Sequence, residues 1–375
     1  MTIIAEIGTS HGGNLEKAYK LIDAAKDSGA DCVKFQWVYA DEILHENTGC
    51  VKLPTGNIRL YDRFKELECS SDFYKKCLEY SHSKGLLFAC SPFGLRSLKE
   101  LAELNPDAIK IASPEVNHIP LLKACAEYYK EIPIIISSGV SKLADLEKAI
   151  SILCSKNQSS AKIKKQESAV KEPLTLLHCI TSYPAPEEEY NIRCIKTLSE
   201  IFGIPTGISD HSLDPVLVPV LTTAMGGTMI EKHITLSKET DGLDDPVALN
   251  PEQFYLMVHA VRQSEAAIAR YGAGEVFRQL EYEFESEKIK TILGDGIKKL
   301  APAEEANYGR TNRSLHYLRA MKKGEKVSEK DIGVLRTEKI LTPGISPEFL
   351  ETITGKTLTA DVENGGGVKF EDFMN

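Results

Sequence analysis

Residues 1–36, MTIIAEIGTSHGGNLEKAYKLIDAAKDSGADCVKFQ, contain the pattern that decides the fold. Residues 3–7 form a short apolar run broken only by Glu6, residues 15–28 carry apolar side chains three and four positions apart, and residues 32–35 form a second apolar run. Short apolar runs are typical of buried strands, and a period near 3.6 is typical of a helix with one buried face. This stretch therefore predicts a strand, a helix and a second strand.

The same alternation continues downstream. Further apolar runs occupy residues 86–90, 108–111, 132–136, 174–179, 205–208 and 228–230, and a helical pattern covers residues 251–271. The chain thus contains about eight strand–helix units within roughly 270 residues. This number and this length are typical of an α/β fold of the (β/α)8 TIM-barrel type. An open doubly wound sheet is the rival, but the glycine cluster at residues 8–13 lacks the G-x-G-x-x-G spacing of its phosphate turn.

The pattern changes after residue 271. A charged stretch and a connector at residues 294–309 precede residues 313–373, where short β-prone runs alternate with turns that contain Gly or Pro. We predict a barrel domain at residues 1–285, a linker at residues 286–310 and a small β-rich domain at residues 311–375. A domain of about 60 residues is near the lower limit for independent stability, so it should dock against the barrel or a second subunit. Residues 155–173, polar and without periodicity, predict a mobile surface insertion.

Composition argues against several classes of function. The chain has 375 residues, with 45 Lys and Arg against 54 Asp and Glu, which gives a formal net charge of −9. Because an acidic chain is poorly suited to nucleic acid or an anionic membrane, we expect neither as a partner. No run approaches the ~18 apolar residues of a membrane span, and Glu6 precedes any possible signal-peptide core, so we expect a cytoplasmic protein.

Polar side chains follow every predicted strand. In a TIM barrel the reacting groups lie at the carboxyl ends of the strands, so these positions form the candidate site. They are Glu6, Lys34, Gln36, Ser91, Lys110, Ser113, Glu115, Ser137, Ser138, His178, Thr181, Tyr183, Ser209, Asp210, His211, Glu231, Lys232 and His233. A solvated strand end or a helix cap explains any one of them, but polar groups at all of the strand ends together indicate an active site.

Lysines and histidines in this set suggest more specific chemistry. Lys34 and Lys110 lie in runs too apolar to leave them simply solvated, and they fit recognition of a phosphate and a carboxylate. Either lysine could instead extend its stem to the surface, and Lys110 could form a Schiff base, as in class I aldolases. His211 and His233 follow consecutive strands, so with Glu6 they could hold a divalent metal ion, although one histidine alone is more often a core or capping residue.

Short motifs recur in order along nearly the whole chain. They are Ala5-Glu6-Ile7-Gly8, Ala30-Asp31-Cys32-Val33-Lys34-Phe35-Gln36, Lys110-Ile111-Ala112-Ser113-Pro114-Glu115, Ser138-Gly139, His178-Cys179, Tyr183-Pro184, Ser209-Asp210-His211-Ser212 and Glu231-Lys232-His233. Together they resemble the sialic acid synthase family, which condenses phosphoenolpyruvate with an N-acylated hexosamine to make nonulosonic acids. The motifs Asn312-Arg313-Ser314-Leu315, Lys323-Gly324-Glu325, Gly344-Ile345-Ser346-Pro347 and Ile353-Thr354-Gly355-Lys356 resemble its SAF, or antifreeze-like, domain.

The resemblance implies a cofactor, two substrates and roles for individual residues. His211 and His233 would bind a divalent metal ion, Mn²⁺ first, with Mg²⁺ or Co²⁺ as alternatives. The phosphoenolpyruvate ligands would be Lys34, Ser91, Lys110, Ser113, Ser137 and Ser209. Glu6 and Gln36 would serve the sugar and metal side of the pocket. Glu115 would assist proton transfer. The acyl-sugar would be bound by Tyr183, Asp244 and Arg313. Arg313 would reach the site from the small domain of a partner subunit in a domain-swapped homodimer.

Departures from the family pattern bear on the sugar. Thr181, a further substrate-binding position, stands where sialic acid synthases usually have Asn, and residues 241–245, DGLDD, replace a Pro-Gly-Pro-Asp segment. This segment is more similar to pseudaminic acid synthases and to the spore-coat polysaccharide branch. The acceptor could therefore be N-acetylmannosamine or a diacetamido-trideoxyhexose. A Schiff-base sugar aldolase acting through Lys110 and a non-catalytic carbohydrate-binding or assembly protein are the competing functions.

Overall fold

The structure, a computed structural model, describes residues 1–53, 56–129, 131–155, 173–240, 242–338 and 340–374. The predicted surface insertion falls almost wholly on residues 156–172, outside this part of the chain. The strands are β1 (Thr2–Gly8), β2 (Cys32–Trp37), β3 (Cys50–Leu53), β4 (Gly56–Arg59), β5 (Leu87–Pro92), β6 (Ala108–Ile111), β7 (Ile134–Ser137), β8 (Leu174–Cys179), β9 (Thr206–Asp210), β10 (Met229–His233), β11 (Arg313–Tyr317) and β12 (Ile332–Arg336).

The helices surround the barrel strands and also occupy the linker and the small domain. They are α1 (Leu15–Asp27), α2 (Ala40–Ile43), α3 (Leu60–Glu66), α4 (Ser71–Ser83), α5 (Leu95–Glu103), α6 (Ile119–Tyr128), α7 (Leu143–Cys154), α8 (Cys194–Phe202), α9 (Leu217–Ala224), α10 (Pro251–Tyr271), α11 (Ala273–Glu283), α12 (Ser286–Leu293), α13 (Pro302–Glu305) and α14 (Leu350–Ile353). Over the described residues, no helix combines the length and the apolar composition needed to cross a bilayer.

A closed parallel barrel forms the centre of the fold, with the strand order β1-β10-β9-β8-β7-β6-β5-β2 among the described residues. Each of these strands leads to a helix that returns the chain to the other end of the barrel, in the order α1, α4, α5, α6, α7, α8, α9 and α10. The predicted (β/α)8 barrel is therefore confirmed. Every predicted apolar run overlaps a barrel strand, and the helix predicted at residues 251–271 is α10.

The first strand–helix unit shows how the sequence produces this arrangement. β1 is buried along its whole length, as expected for a parallel strand covered on both faces. Asn14 caps α1, because its side-chain oxygen accepts a hydrogen bond of 2.9 Å from the backbone N–H of Lys17. The buried residues of α1 have the helical spacing seen in the sequence: Ala18, Leu21, Ile22 and Ala25.

The connection from β2 to α4 is longer than the others and lies over the carboxyl end of the barrel. It contains α2, the antiparallel hairpin of β3 and β4, and α3, none of which the sequence pattern predicts. Its apolar side chains pack with those of neighbouring segments in one cluster: Val38, Ile43, Leu44, Leu60, Leu67 and Phe93. This connection also contacts the small domain, since Leu44 forms a parallel bridge with Arg336.

The small domain docks on the barrel of its own chain. Asn117 holds both backbone groups of Arg313, with its amide oxygen 2.9 Å from the Arg313 nitrogen and its amide nitrogen 2.8 Å from the Arg313 carbonyl oxygen. The Asn312 amide donates to the Val140 carbonyl at 3.0 Å. The domain has a core of its own, made of Leu315, Tyr317, Met321, Val327, Ile332, Ile353, Leu358 and Val368.

Candidate active site

An apolar plug closes the barrel interior towards the amino ends of the strands. The plug consists of seven described residues that are buried and pack together: Ile4, Cys32, Ala89, Ala108, Ile135, Leu177 and Met229. Each comes from a different barrel strand, so together they fill the centre of the barrel. As far as the described residues show, the plug leaves the carboxyl end open for a ligand to enter.

A ring of mostly polar side chains lies directly above the plug. Side chains alternate between the two faces of a strand, so the residue two positions after a plug residue also faces the interior. This polar ring consists of Glu6, Lys34, Ser91, Lys110, Ser137, Cys179 and Glu231, joined by Ser209 from β9. All eight line the same cavity, and the next inward positions above them include Gln36, Thr181, His211 and His233.

The cavity collects most of the site residues that the sequence predicts. It encloses about 190 Å³, far more than the ~10–15 Å³ that one water molecule needs, so it is not a packing defect. Glu115 and Arg313 do not line it. The thirteen predicted residues that do are Glu6, Lys34, Gln36, Ser91, Lys110, Ser113, Ser137, Thr181, Tyr183, Ser209, His211, His233 and Asp244.

Lysines and carboxylates face each other across the polar ring. Lys34 Nζ lies 2.7 Å from Glu6 Oε2 and 3.7 Å from Glu231 Oε2. Lys110 Nζ lies 3.8 Å from Glu231 Oε1 and donates a hydrogen bond of 2.6 Å to Ser137 Oγ. Both lysines are thus held inside the barrel, and neither extends to the surface.

The pKa values of these groups follow from burial and from their neighbours. Burial disfavours the charged form of Glu231, but Lys110 and Lys34 outweigh it and lower the pKa of this carboxyl to about 2. Burial lowers the pKa of Lys110, and the nearby charge of Lys34 adds to the effect. Burial also acts to lower the pKa of Lys34, but Glu231 and Glu6 outweigh it and raise this pKa.

The cavity carries no excess of positive charge. Lys34 and Lys110 were expected to recognise a phosphate and a carboxylate, but carboxylates balance the cations among the described lining residues. With neutral histidines, three positive and three negative side chains line the cavity: Lys34, Lys110 and Arg336, and Glu6, Glu231 and Asp244. A multiply charged anion therefore needs a further cation before it can bind favourably.

His211 and His233 meet at the carboxyl ends of β9 and β10, with ring centroids 5.7 Å apart. His211 Nδ1 lies 2.7 Å from the Ile180 carbonyl oxygen, so its N–H donates there and Nε2 keeps a free lone pair. His233 Nδ1 is buried without a hydrogen-bond partner among the described residues and lies 4.0 Å from Asp244 Oδ2. Burial lowers the pKa of both histidines and favours the neutral form that binds metal ions.

These donors fit a first-row divalent metal ion in an open site. Imidazole nitrogens and carboxylate oxygens are ligands that such ions accept. Within the described ranges, no group of three or more His, Cys, Asp or Glu side chains converges as a complete metal site. The chain would thus supply two imidazoles and leave other positions to water or substrate, as catalytic metal sites do.

Further polar groups surround the histidines. The ring of Tyr183 stacks on His211 with centroids 4.2 Å apart, and its side chain is partly exposed at the rim of the cavity. Gln36 donates a hydrogen bond of 2.8 Å to Glu6 Oε1. Thr181 Oγ1 is buried and has no hydrogen-bond partner among the described residues, so it is available to a ligand.

Glu115 and Arg313 pair with each other outside the cavity lining. Arg313 Nε lies 2.5 Å from Glu115 Oε2, and Arg336 Nη2 lies 2.7 Å from Glu115 Oε1. Burial acts to raise the pKa of Glu115, but the two arginines outweigh it and lower this pKa. An ionised, fully buried carboxylate between two guanidinium groups can anchor both arginines, and the proton-transfer role that the resemblance implies for Glu115 stays a prediction. Arg313 reaches this position within its own chain, whereas the homodimer stays a prediction.

The linker holds two loops of the site in place. Glu304, the buried residue of α13, accepts hydrogen bonds at Oε1 from the backbone N–H groups of Val140 (2.7 Å) and Thr181 (2.6 Å), and at Oε2 from Ala301 (3.2 Å). The loop after β7 packs so tightly here that a Cβ at Gly139 would clash with Thr181 Oγ1. Glu304 therefore fixes the backbone that presents Thr181 to the cavity.

Replacing Glu304 with alanine is expected to lower the free energy of unfolding by about 3 kcal/mol. Three backbone N–H groups lose their acceptor, and an unsatisfied buried donor costs roughly 1–3 kcal/mol. Urea denaturation measures the change. Glu305 is exposed on the same helix, so Glu305→Ala is the matched control. Equal stability of the two variants would show that the linker carboxylate does not hold the loops.

Some of the residues that line the cavity had no role assigned to them from the sequence. Glu231 was noted only at the end of its predicted strand. It lies two residues before His233, and residues two apart on a strand point to the same side, so this spacing predicts that Glu231 points into the barrel. Arg336 and Thr311 line the cavity from the part of the chain beyond the barrel. No local pattern marks these two, because only the docking of the small domain brings them to the barrel.

The barrel and the polar cavity at the carboxyl ends of its strands define a TIM-barrel protein with an enzyme-like site. The model of the NeuB family matches residues 21–272, and that of the SAF domain matches residues 312–374. The chain therefore belongs to the NeuB family, as its motifs indicated.

Relatives of known name support this assignment over almost the full length. N,N'-diacetyllegionaminic acid synthase of Legionella pneumophila is 31% identical, and the aligned region covers 98% of this chain and 93% of that protein. Pseudaminic acid synthase of Campylobacter jejuni is 32% identical, and the aligned region covers 99% of this chain and 96% of that protein. The crystal structure of the spore coat polysaccharide biosynthesis protein SpsE from Bacillus subtilis has a TM-score of 0.79 at 30% identity, with 95% of that chain and 100% of this chain covered.

Proposed function

We propose that this chain condenses phosphoenolpyruvate with an N-acylated hexosamine, forming a nonulosonic acid and releasing phosphate. The polar ring carries the proposal, because it combines two buried lysines and three serine hydroxyls in one cavity beneath a pair of neutral histidines. The named relatives, synthases of legionaminic and pseudaminic acids, support the same class of product. The acceptor is N-acetylmannosamine or a diacetamido-trideoxyhexose, and the chain acts as a cytoplasmic homodimer.

Phosphoenolpyruvate carries a phosphate and a carboxylate, and both need cations and hydrogen-bond donors. Lys34 and Lys110 supply the cations. The hydroxyls come from Ser91, Ser113, Ser137 and Ser209. Ser91 Oγ is buried and has no hydrogen-bond partner among the described residues, so an anion oxygen would satisfy it.

His211 and His233 would hold the divalent metal ion, with Mn²⁺ preferred over Mg²⁺ or Co²⁺. When bound, the ion would polarise the aldehyde oxygen of the open-chain sugar. The charge balance of the cavity supports a metal ion, because the six charged lining residues sum to zero and phosphoenolpyruvate is a trianion. Thr181, Tyr183, Gln36 and Asp244 would then orient the sugar hydroxyls beside the histidines.

The reaction forms a C–C bond to the sugar and a C–O bond from water, and it breaks the C–O bond between C2 and phosphate. C3 of phosphoenolpyruvate attacks the aldehyde carbon, and the aldehyde oxygen takes up a proton to become a hydroxyl. Water adds to the cation at C2 and loses a proton; phosphate then leaves as the new C2 hydroxyl loses its proton and becomes the ketone oxygen. Glu231 is ionised in the polar ring, so its negative charge would stabilise the cation at C2. Lys34 and Lys110 would hold the phosphate as it leaves.

A phosphate-release assay tests the proposed function. The purified chain is incubated with phosphoenolpyruvate, Mn²⁺ and, in separate samples, N-acetylmannosamine or a diacetamido-trideoxyhexose. We expect phosphate release that depends on the sugar, together with a product whose mass equals a nonulosonic acid. Release with no sugar in the panel would contradict the proposal and favour a carbohydrate-binding protein without turnover.

A Schiff-base aldolase acting through Lys110 is the second candidate, because burial lowers the pKa of Lys110 and favours the nucleophilic amine. Borohydride treatment in the presence of pyruvate distinguishes the two mechanisms. The condensation requires no covalent enzyme intermediate, so we expect no mass increase of the protein. A stable pyruvate adduct at Lys110 would favour the aldolase.

A further inference from the structure

We propose that a second cavity, between the barrel and the linker, binds a hydroxylated carboxylate and thereby steadies the loop of Thr181. This linker cavity encloses about 290 Å³, far more than the ~10–15 Å³ that one water molecule needs. His178 of β8 lines it on the barrel side, and residues 298–302 line it on the linker side. No described residue that is assigned to either substrate lines it, so the site stands apart from the proposed function.

His178 brings an unused acceptor into the linker cavity. The residue is 4% exposed, and its Nε2 lies 2.6 Å from the carbonyl oxygen of Tyr190, so Nε2 carries the proton and donates there. Burial lowers the pKa of His178 to about 3, and the charge of Lys298 adds to the effect, so the ring is neutral. Its Nδ1 keeps a lone pair, and no hydrogen-bond partner reaches this buried atom from the described residues. Such an acceptor needs a donor from a bound molecule.

Lys298 brings unused donors to the same cavity. Its Nζ donates to the Ser138 carbonyl at 3.0 Å, and an ammonium group has three N–H donors. Among the described residues, no carboxylate forms an ion pair with it. Burial lowers the pKa of Lys298, although Glu304 acts against this change. A bound anion would favour the charged form and offset the effect of burial.

Other polar side chains of the lining are already bonded within the protein. Asn191 Nδ2 donates to Asp295 Oδ1 at 2.9 Å, and its Oδ1 accepts a backbone hydrogen bond of 2.7 Å. Glu304 accepts from three backbone N–H groups at 2.6 to 3.2 Å. By contrast, His178 Nδ1 and Lys298 Nζ remain available to a ligand.

These two available groups define the chemistry of the ligand. Lys298 needs an anionic acceptor, whereas the lone pair of His178 needs a donor and repels a bare anion, so a carboxylate beside hydroxyl groups suits both. Four acidic side chains and two lysines line the cavity, so a monoanion fits better than a multiply charged anion. The apolar side chains of Ile180, Leu300 and Pro302 accommodate a carbon skeleton. Sugar acids have this composition, and the nonulosonic acid of the proposed function is one of them.

A ligand in the linker cavity acts on the active site through Glu304. This residue lines the linker cavity, and its Oε1 accepts from the backbone N–H groups of Val140 and Thr181. A ligand held between β8 and the linker stabilises the docked linker, because it binds that arrangement better than one in which the linker has moved away. Opening of these two backbone hydrogen bonds therefore becomes rarer.

Calorimetry with gluconate tests the site. Sorbitol and hexanoate are the matched ligands, because sorbitol lacks the carboxylate and hexanoate lacks the hydroxyl groups. We expect one gluconate to bind per chain and each matched ligand to bind at least about tenfold more weakly. In Lys298→Met the affinity for gluconate should fall about 30-fold, the value for losing a hydrogen bond to a charged group. Lys290→Met is the matched control, since Lys290 is exposed on α12, pairs with Glu287 and lies outside the lining.

Two further variants separate this site from the active site and from effects on folding. Lys110→Met should bind gluconate as the wild-type chain does, because Lys110 lines the other cavity. Thr291 is exposed on α12 and also lines the linker cavity, so Thr291→Trp should block gluconate binding with an unchanged melting temperature.

Hydrogen–deuterium exchange measures the effect on the loop. Gluconate should slow exchange of the Val140 and Thr181 amides about tenfold in the wild-type chain and leave it unchanged in Lys298→Met. The inference is overturned by any of four results: no gluconate binding, equal binding of sorbitol or hexanoate, binding that survives in both Lys298→Met and Thr291→Trp, or wild-type exchange that gluconate does not slow. Phosphate release decides the proposed function separately, so either can fail alone.

Discussion

Replacing His211 or His233 with alanine is expected to lower kcat/KM of the proposed condensation about 10³-fold. Each substitution removes one of the two imidazoles that would hold the metal ion, and polarisation of a carbonyl by a metal ion is worth several kcal/mol in the transition state. His211 should be the more sensitive, because its Nδ1–H is already bonded to the Ile180 carbonyl and its Nε2 is oriented for a ligand.

Phosphate release in the presence of Mn²⁺ measures the loss, and electron paramagnetic resonance of Mn²⁺ measures binding directly. His259 is exposed on α10, so His259→Ala controls for the loss of an imidazole far from the cavity. We expect that control to keep both activity and Mn²⁺ binding. Full activity of His211→Ala in the presence of a strong chelator would refute the metal site.

Replacing Lys110 with methionine is expected to raise the KM for phosphoenolpyruvate about 100-fold, with much less effect on the KM for the sugar. The variant loses a buried cation that donates to Ser137 at 2.6 Å, and a hydrogen bond to a charged group contributes roughly 1.5–3 kcal/mol. It also leaves Glu231 with Lys34 as its remaining lysine neighbour, so the cavity becomes more negative and repels an anion.

Initial rates at varied phosphoenolpyruvate and at varied sugar separate the two effects. Lys196 is exposed on α8 and pairs with Glu200 at the surface, so Lys196→Met is the matched control. Its kinetic constants should equal those of wild type. An equal rise in both KM values, or no rise in either, would show that Lys110 does not bind phosphoenolpyruvate. Circular dichroism checks that the Lys110 variant is folded.

Local periodicity was sufficient to predict the barrel. A parallel strand covered on both faces requires a short apolar run, and a helix packed on one face requires apolar residues with a period near 3.6. Both patterns involve only residues that are close together along the chain, so the sequence shows them directly. The connection with β3 and β4 escaped prediction because its strands are short and carry no alternation strong enough to distinguish them from a loop. The insertion expected at residues 155–173 lies mostly outside the described residues, so it stays a prediction.

The candidate site was predictable to the extent that strand position decides it. Lys34, Lys110, His211 and His233 lie at strand ends, and closing the barrel brings strand ends together whatever their separation along the chain. The motifs added roles to these positions, and Ser113 and Asp244, which lie beyond strand ends, line the cavity with them. The position of Glu231, two residues before His233, also predicts that its side chain faces the cavity, because residues two apart on a strand share a face.

By itself, the sequence determined which segments form strands and helices and which side chains the strands carry into the barrel. Only the tertiary structure decided that Glu6 and Glu231 neutralise the two lysines, that Glu304 holds the loop of Thr181, and that Arg336 enters the cavity and Arg313 pairs with Glu115. Periodicity is a property of neighbouring residues, whereas these pairings join residues up to 221 positions apart. Charge balance and hydrogen-bond satisfaction depend on distances in space, which closing the barrel and docking the small domain set together.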